Sequence, residues 1–228
     1  MLIQKKVRNW YARKRIRWMN RHLLISKVYG IIHIGANSGG EASTYDIHDL
    51  RVAWVEPIPE VFQELCANIS AFPKQRAYRY LIGEKDEPGA VLHVSSNNGL
   101  SSSILPLAKH REAWPNVSYI RDIIMPSTSL PTFIGKEGLD LSEYEALIMD
   151  TQGSELTILR GATEILRQFR FIHVEVADFE AYAGCCLLSE MDDFMSNHGF
   201  RQVRRDRQTY QVATHAGNYY EVTYASIS

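Results

Sequence analysis

Four short apolar segments recur along the chain, and each ends in a glycine or a carboxylate. They are residues 28–35 (VYGIIHIG), 51–56 (RVAWVE), 145–150 (EALIMD) and 169–175 (FRFIHVE). A strand that is covered by helices on both faces is apolar along its whole length and does not alternate strictly. The pattern therefore predicts four buried strands of a parallel sheet.

Helical periods follow three of these segments. The recurring apolar positions are Val61, Phe62, Leu65 and Ile69 after Glu56, then Leu156, Leu159 and Leu166 after Asp150, then Leu187, Met191, Phe194 and Met195 after Glu175. Strands that alternate with helices form βαβ units. The sequence also predicts two more strands, residues 201–205 and 219–224, which would form an antiparallel pair at the edge of the sheet. We expect one doubly wound α/β domain over residues 28–228, a size that one hydrophobic core can support.

The charge of the chain is divided unevenly. The first 30 residues hold nine of the 25 lysines and arginines and no acid, so 16 basic residues face 26 acidic ones in the rest. Residues 1–27 are predicted to be a basic helical arm, which carries Trp10, Tyr11 and Trp18. The arm is suited to an anionic membrane surface, to a partner enzyme, or to packing on the domain. The acidic body disfavours nucleic acid, so we expect a small or neutral partner molecule.

Other features of the composition narrow the location and the chemistry. The chain has no run of 18 apolar residues and no apolar core typical of a signal peptide, so we expect a cytoplasmic protein. The three cysteines, Cys66, Cys185 and Cys186, lack the spacing of metal ligands. No metal site is predicted.

The first strand runs into a glycine-rich turn, Gly35-Ala36-Asn37-Ser38-Gly39-Gly40. Small residues there let backbone amides approach a ligand, and asparagine is among the few residues other than glycine that adopt a positive φ. The turn lacks the middle glycine of the GxGxxG motif, which admits a pyrophosphate.

Glu56 ends the second strand and follows Gly35 by about 20 positions, the spacing at which a carboxylate reaches ribose hydroxyls of a bound adenosine. A nicotinamide dinucleotide and S-adenosylmethionine both present adenosine to such a site. The residues alone leave a nicotinamide oxidoreductase and a methyltransferase open, although the missing glycine counts against the oxidoreductase.

A series of motifs resembles the FkbM family of methyltransferases. In order they are IIHIGANSGGEASTY, WVEPIPEVFQEL, NNGLSSSI, LIMDTQGSELTILRGA and VEVADFEAYAGCCLLSEMDDFM, and the resemblance spans about residues 28–224. It implies a Rossmann-like class I methyltransferase domain with a seven-stranded sheet, and S-adenosylmethionine as the methyl donor. The residues that the resemblance assigns to the donor are Gly35, Ala36, Asn37, Ser38, Gly39, Glu56, Pro57, Ile82, Gly83 and Asp150. In this assignment Ile82 and Gly83 close a third strand, residues 77–84 (AYRYLIGE), beside the adenine.

Methyl transfer to a hydroxyl needs a base, because a hydroxyl attacks poorly at neutral pH. Asp150 and Glu175 end neighbouring apolar strands, where their carboxylates would lie close together and repel. Both are candidate bases, and Asp150 is equally suited to contact the donor's amino group. His110 is a third candidate. It lies in an insertion, about residues 94–130, that we expect to be a lid or a specificity loop in which Trp114, Arg111 and serines contact a sugar, or else a plain surface excursion.

The sequence thus predicts an O-methyltransferase. The resemblance alone points to the acceptor, which is a hydroxyl of a sugar, a polysaccharide precursor or another natural product. The alternative function is a non-catalytic cofactor-binding module of a glycan-assembly complex, which keeps the fold and contacts its partners through the basic arm.

Overall fold

The computed structural model describes residues 27–212 and 215–227 of the chain. The predicted basic arm, with its expected contacts to a membrane or a partner, lies outside these residues except for Lys27. The strands are β1 (Gly30–Ile34), β2 (Arg51–Val55), β3 (Gln75–Tyr78), β4 (Leu81–Gly83), β5 (Glu87–Ser95), β6 (Tyr119–Ser129), β7 (Ala146–Met149), β8 (Phe171–Ala177), β9 (Phe200–Val212) and β10 (His215–Ser226). The helices are α1 (Ala42–Ile47), α2 (Pro59–Ile69), α3 (His110–Ala113), α4 (Leu130–Glu137), α5 (Glu155–Arg160) and α6 (Leu188–Asn197).

Seven strands form the main sheet in the order β3-β2-β1-β7-β8-β10-β9. The strands β3, β2, β1, β7 and β8 pair in parallel, and β10 pairs antiparallel with both β8 and β9. The predicted mostly parallel α/β sheet is confirmed. The antiparallel edge pair is also observed, with β10 next to β8 and β9 at the edge itself.

Helices cover both faces of this sheet. From β1, Ile31 packs on one face with Tyr45 of α1 and Leu65 of α2, whereas Ile32 packs on the other face. The side chains that α4, α5 and α6 contribute to this second face include Phe133, Leu159 and Met191. The continuous apolarity of the central strands follows from this double cover, because successive side chains enter different cores.

The predicted third strand, residues 77–84, is wrong as a single element. It is divided into β3, at the edge of the main sheet, and β4, which pairs in parallel with β6 in a separate three-stranded sheet of order β4-β6-β5. At this break, Tyr78, the last residue of β3, and Tyr80 pack their rings on Phe133 of α4 at 5.5 and 5.0 Å. An apolar run of this length does not reveal such a break, because both halves keep the composition of a strand.

The region predicted as an insertion, residues 94–130, is partly regular structure. Its first residues end β5, and its last residues form β6, which pairs antiparallel with β5. Residues 96–118 connect these strands and bring the NNGLSSS segment over the carboxyl ends of β1 and β2. The small sheet therefore holds this connection in place beside the main sheet.

Candidate active site

The turn after β1 brings two segments of backbone into contact. Gly35 has φ +76° and Asn37 has φ +47°, so both lie in the left-handed region. The amides of Gly35 and Ala36 donate to the carbonyl of Val55 at 3.0 and 3.1 Å. A Cβ atom on Gly35 would lie 2.0 Å from the carbonyl oxygen of Asp150, at the end of β7. Only glycine satisfies both the positive φ and this close approach.

Glu56 directly follows β2 and anchors this turn. Its side chain is buried, and its two oxygens accept the amides of Asn37 at 2.8 Å and Ile58 at 2.9 Å. Burial raises the pKa of Glu56 to about 7, although the two backbone hydrogen bonds act in the opposite direction. Each carboxylate oxygen has a second acceptor position. The carboxyl group can therefore accept further hydrogen bonds from a ligand while it holds the turn.

A cavity that is partly open to solvent lies above these strand ends. Glu56 and Asn37 lie on its polar side, and Ile58, Ile82 and Leu100 contribute apolar surface. The other residues that line the cavity are Ile34, Gly35, Pro57, Tyr80, Leu81, Leu92, Gly99, Ser102, Ser103, Ile104, Asp150, Thr151, Gln152 and Ser154.

The segment after β7, residues 150–155 (DTQGSE), folds around the buried carboxyl group of Glu155. This group accepts the amide of Thr151 at 2.7 Å, the hydroxyl of Thr151 at 2.9 Å and the amide of Gly153 at 3.0 Å. Burial raises the pKa of Glu155. These three bonds fix the backbone on which Asp150 and Gln152 are carried.

Asp150 and Glu175 are joined by one amide. Asp150 directly follows β7 as predicted, whereas Glu175 lies inside the paired strand β8, two residues before its end, and does not end the strand as predicted. The side-chain nitrogen of Gln152 donates to Oδ1 of Asp150 at 2.6 Å and to Oε2 of Glu175 at 3.2 Å. Asp150 lines the cavity, whereas Glu175 lies outside the lining and is linked to it through the amide of Gln152.

The NNGLSSS segment closes the cavity from above. The Nδ2 atom of Asn37 donates to the carbonyl of Asn98 at 3.2 Å, and the hydroxyl of Ser103 donates to the carbonyl of Gln152 at 2.8 Å. At the start of the segment, Asn97 accepts the hydroxyl of Ser95, the last residue of β5, at 2.6 Å. These side chains therefore stabilise the conformation of the segment, in addition to any contact that they make with a ligand.

Residues 33–202 match the family described as the methyltransferase FkbM domain. The chain belongs to the FkbM methyltransferase family. A search of curated proteins finds no match.

Solved structures similar to this FkbM-family chain show its fold. Magnesium protoporphyrin IX methyltransferase from Synechocystis PCC 6803, solved with bound S-adenosylhomocysteine, is 6% identical with a TM-score of 0.50, over 95% of this chain and 82% of that one. An uncharacterized protein from Listeria monocytogenes serotype 4b is 7% identical with a TM-score of 0.52, over 93% and 67% of the two chains. At these identities the similarity shows the architecture of the sheet and nothing about the ligand.

Six of the ten residues that the FkbM resemblance assigns to the donor line the cavity. They are Gly35, Asn37, Glu56, Pro57, Ile82 and Asp150. The other four, Ala36, Ser38, Gly39 and Gly83, lie outside its lining.

Three of these four hold the surrounding structure. A Cβ atom on Gly39 would lie 2.6 Å from Leu65, so this glycine lets α2 pack closely. The carbonyl of Ser38 accepts the side-chain amide of Asn68 at 2.7 Å. Ala36 is buried among the side chains under α1 and α2.

His110, the third candidate base, lies apart from the cavity lining. It is the first residue of α3 and is buried, with its ring stacked on Trp114 at 4.7 Å and tilted against Tyr182 at 5.2 Å. Burial lowers the pKa of His110 to about 4, so the ring is neutral at physiological pH. Trp114, expected to stack on a sugar, instead packs against His110 and, edge to face, against Tyr219 at 5.3 Å.

Sequence reasoning missed three contributors to this FkbM-family site. No role is predicted for Gln152 from the sequence, although its side chain joins Asp150 to Glu175. Tyr182 reaches Gln152 from 30 positions along the chain, and Tyr80 lines the cavity from the break between β3 and β4. The only signal in the sequence for the role of Gln152 is that it is a polar residue close to Asp150 in DTQGSE.

Two further observations concern the described residues. Over 27–212 and 215–227, no three histidine, cysteine, aspartate or glutamate side chains come close enough to hold a metal ion. Within the same ranges, none of the helices combines the length and apolarity that crossing a membrane requires.

Proposed function

We propose that this FkbM-family chain is an S-adenosylmethionine-dependent O-methyltransferase that acts on a hydroxyl of a sugar, a polysaccharide precursor or another natural product. One observation supports this most strongly. The turn held by Glu56 and the carboxylate pair of Asp150 and Glu175 lie at or near the carboxyl ends of adjacent strands, where an open α/β sheet binds its ligands.

The residues around the cavity suit S-adenosylmethionine. The free acceptor positions of Glu56 match the two hydroxyls of a ribose, and the apolar surface of Ile58 and Ile82 matches an adenine ring. Gly35 and Asn37 line the cavity at the turn, where the methionine portion would lie. When it is bound, the donor supplies an electrophilic methyl group on a positively charged sulfur.

The chain's own residues then act on the acceptor. Asp150 or Glu175 accepts the proton of the attacking hydroxyl, a contribution of about 10²- to 10⁴-fold for a positioned base. The NNGLSSS segment, held by Asn37 and Gln152, covers part of the cavity and so reduces the access of water to it. Alignment of the acceptor oxygen with the methyl group supplies a further part of the rate.

The experiment that tests this function is a methylation screen of the full chain. The protein is incubated with S-adenosylmethionine and a panel of sugars, nucleotide sugars and polyketide alcohols, and mass spectrometry detects the gain of one methyl group. Transfer to a hydroxyl supports the proposal. Binding of the donor without transfer to any acceptor would instead favour the non-catalytic binding module, and calorimetry that detects no binding would exclude both.

Removal of the Glu56 carboxylate is expected to weaken donor binding. Glu56→Ala should raise the Kd for S-adenosylmethionine by a free energy of about 1 to 3 kcal/mol, because charge-assisted hydrogen bonds to the ribose are lost. Isothermal titration calorimetry measures the change. Glu164→Ala is the matched control, since Glu164 is exposed and lies beyond α5, outside the cavity lining. An unchanged Kd in Glu56→Ala would mean that another residue holds the ribose.

Donor affinity is also expected to depend on pH through Glu56. The ionised carboxylate accepts both ribose hydroxyls, and its pKa in the free protein is about 7. Protonation competes with binding, so affinity should fall as pH is lowered through 7, by up to about tenfold per pH unit. Calorimetry at a series of pH values from about 6 to about 8 measures this slope. The slope should disappear in Glu56→Gln, and an equal slope in that variant would assign the titration to a different group.

A further inference from the structure

We propose that Gln152 is a positioning residue that holds the carboxylates of Asp150 and Glu175 in one fixed arrangement, and that Tyr182 sets the direction of its amide. The proposal rests on the proposed function, because it concerns the groups that would receive the acceptor's proton. It assigns a role to a side chain outside the set of candidate bases.

The hydrogen bonds around Gln152 have a single consistent direction. Its nitrogen lies 2.6 Å from Asp150 Oδ1 and 3.2 Å from Glu175 Oε2, and its oxygen lies 2.5 Å from the hydroxyl of Tyr182. An ionised carboxylate can only accept hydrogen bonds, so the amino group must face the carboxylates. The hydroxyl of Tyr182 must then donate to the amide oxygen. Reversal of the amide would place its oxygen against two negative charges.

Tyr182 is well suited to this task. Its side chain is buried, and burial raises the pKa of its hydroxyl well above the usual value, so the group remains a donor. The backbone on either side is held to the segment before α3. The amide of Ala183 donates to Pro106 at 2.9 Å, and the carbonyl of Ala181 accepts the amide of Ala108 at 3.0 Å. The hydroxyl is therefore presented to Gln152 from a fixed position.

The backbone of Gln152 is constrained as well. Its φ is +57°, in the left-handed region that few residues other than glycine, asparagine and aspartate adopt. Its carbonyl accepts the hydroxyl of Ser103, and the next residue, Gly153, is held by Glu155. A glycine would fit this conformation more easily than glutamine. The presence of a long amide side chain here is accounted for by the two carboxylates that it reaches.

Loss of the amide changes the carboxylate pair directly. Without a shared donor, Asp150 and Glu175 repel each other and can move apart or take up a proton. Either change removes a base from the position in which it meets the acceptor. The donor's contacts with Glu56 lie on a different strand end and are not altered.

A first experiment uses the ligand-free full chain and does not depend on any acceptor. The two side-chain amide protons of Gln152 are assigned in nitrogen-15 NMR spectra by their absence in Gln152→Met. They should exchange with water about tenfold or more slower than those of Gln63, an exposed glutamine on α2. Tyr182→Phe should speed their exchange. Exchange of Gln152 as fast as that of Gln63 would overturn the proposal, whatever the protein methylates.

A second experiment separates positioning from a purely structural role. On the acceptor that the methylation screen identifies, Gln152→Met should lower kcat by about 10- to 100-fold, as expected for a misplaced reacting group. The Kd for S-adenosylmethionine should stay within about twofold. Tyr182→Phe should lower kcat less, and the double variant should equal Gln152→Met alone, because both changes act through one hydrogen bond. Gln63→Met should leave both quantities unchanged.

The outcomes are distinct. An unchanged kcat in Gln152→Met would overturn the positioning role. A loss of donor affinity and thermal stability as large as the loss of kcat would overturn it as well. Additive effects of the two substitutions would show that Tyr182 acts independently of Gln152. If the proposed function is wrong, the wild-type protein transfers no methyl group to any acceptor. The NMR experiment still tests whether the Gln152 amide is held in place.

Discussion

Replacing either candidate base by its amide, in Asp150→Asn or Glu175→Gln, is expected to lower kcat by about 10²- to 10⁴-fold in the variant that lacks the true base. The other variant should show a smaller loss, because its carboxylate only shares the donor Gln152. Steady-state kinetics with S-adenosylmethionine and the identified acceptor measure kcat. Calorimetry with the donor alone tests whether binding is retained, as a role in proton transfer requires.

The control for this pair is Glu164→Gln, since Glu164 is exposed beyond α5. It should keep the wild-type kcat. Full turnover in both Asp150→Asn and Glu175→Gln would remove both carboxylates as bases. A large loss of donor affinity in Asp150→Asn, with turnover less affected, would instead assign Asp150 to the donor's amino group.

The second large effect is expected at the contact between β1 and β7. Gly35→Ala should lower the free energy of unfolding by about 3 kcal/mol or more, because the new Cβ atom meets backbone and requires a strained positive φ. Urea unfolding of the ligand-free protein measures this change. Donor binding should fall as well, since the turn that carries Asn37 must shift.

Gly135→Ala gives a matched comparison. Gly135 lies within α4, and no neighbouring atom lies within 4 Å of the place that a Cβ atom would occupy. Alanine there should be neutral or stabilising by up to about 1 kcal/mol, because it favours the helix more than glycine does. Equal unfolding midpoints for the two variants would contradict the close approach of Gly35 to Asp150.

The central strands could be predicted from sequence because their environment leaves a clear signature. Ile31 and Ile32 both enter a core, on opposite faces, so the strand is apolar at successive positions. The turn after β1 was equally accessible, since Asn37 is one of the few residue types that adopt its φ of +47°. Glu56 followed from its distance to that turn. These features depend on local sequence and on one general rule about open sheets.

The second sheet could not be predicted, because two of its strands, β5 and β6, are largely exposed to solvent. Ile124 of β6 is 75% exposed, so its apolar side chain does not mark a core position.

The hydrogen bonds of Gln152 could not be predicted either, because they depend on contacts between distant parts of the chain. Tyr182 and Gln152 are 30 positions apart and meet only because the segment after β8 folds back over the strand ends. The sequence also does not show that His110 packs against the aromatic rings of Trp114 and Tyr182.

The position of β10 also bears on how the protein forms. This strand comes last along the described chain, yet it lies between β8 and β9 and pairs with both. During synthesis, β8 therefore presents unpaired amides and carbonyls until residues 215–226 have been added. Open strand edges of this kind promote aggregation of nascent chains. A stop codon placed between α6 and β10 should thus yield inclusion bodies, even though nearly every residue around the cavity has already been made.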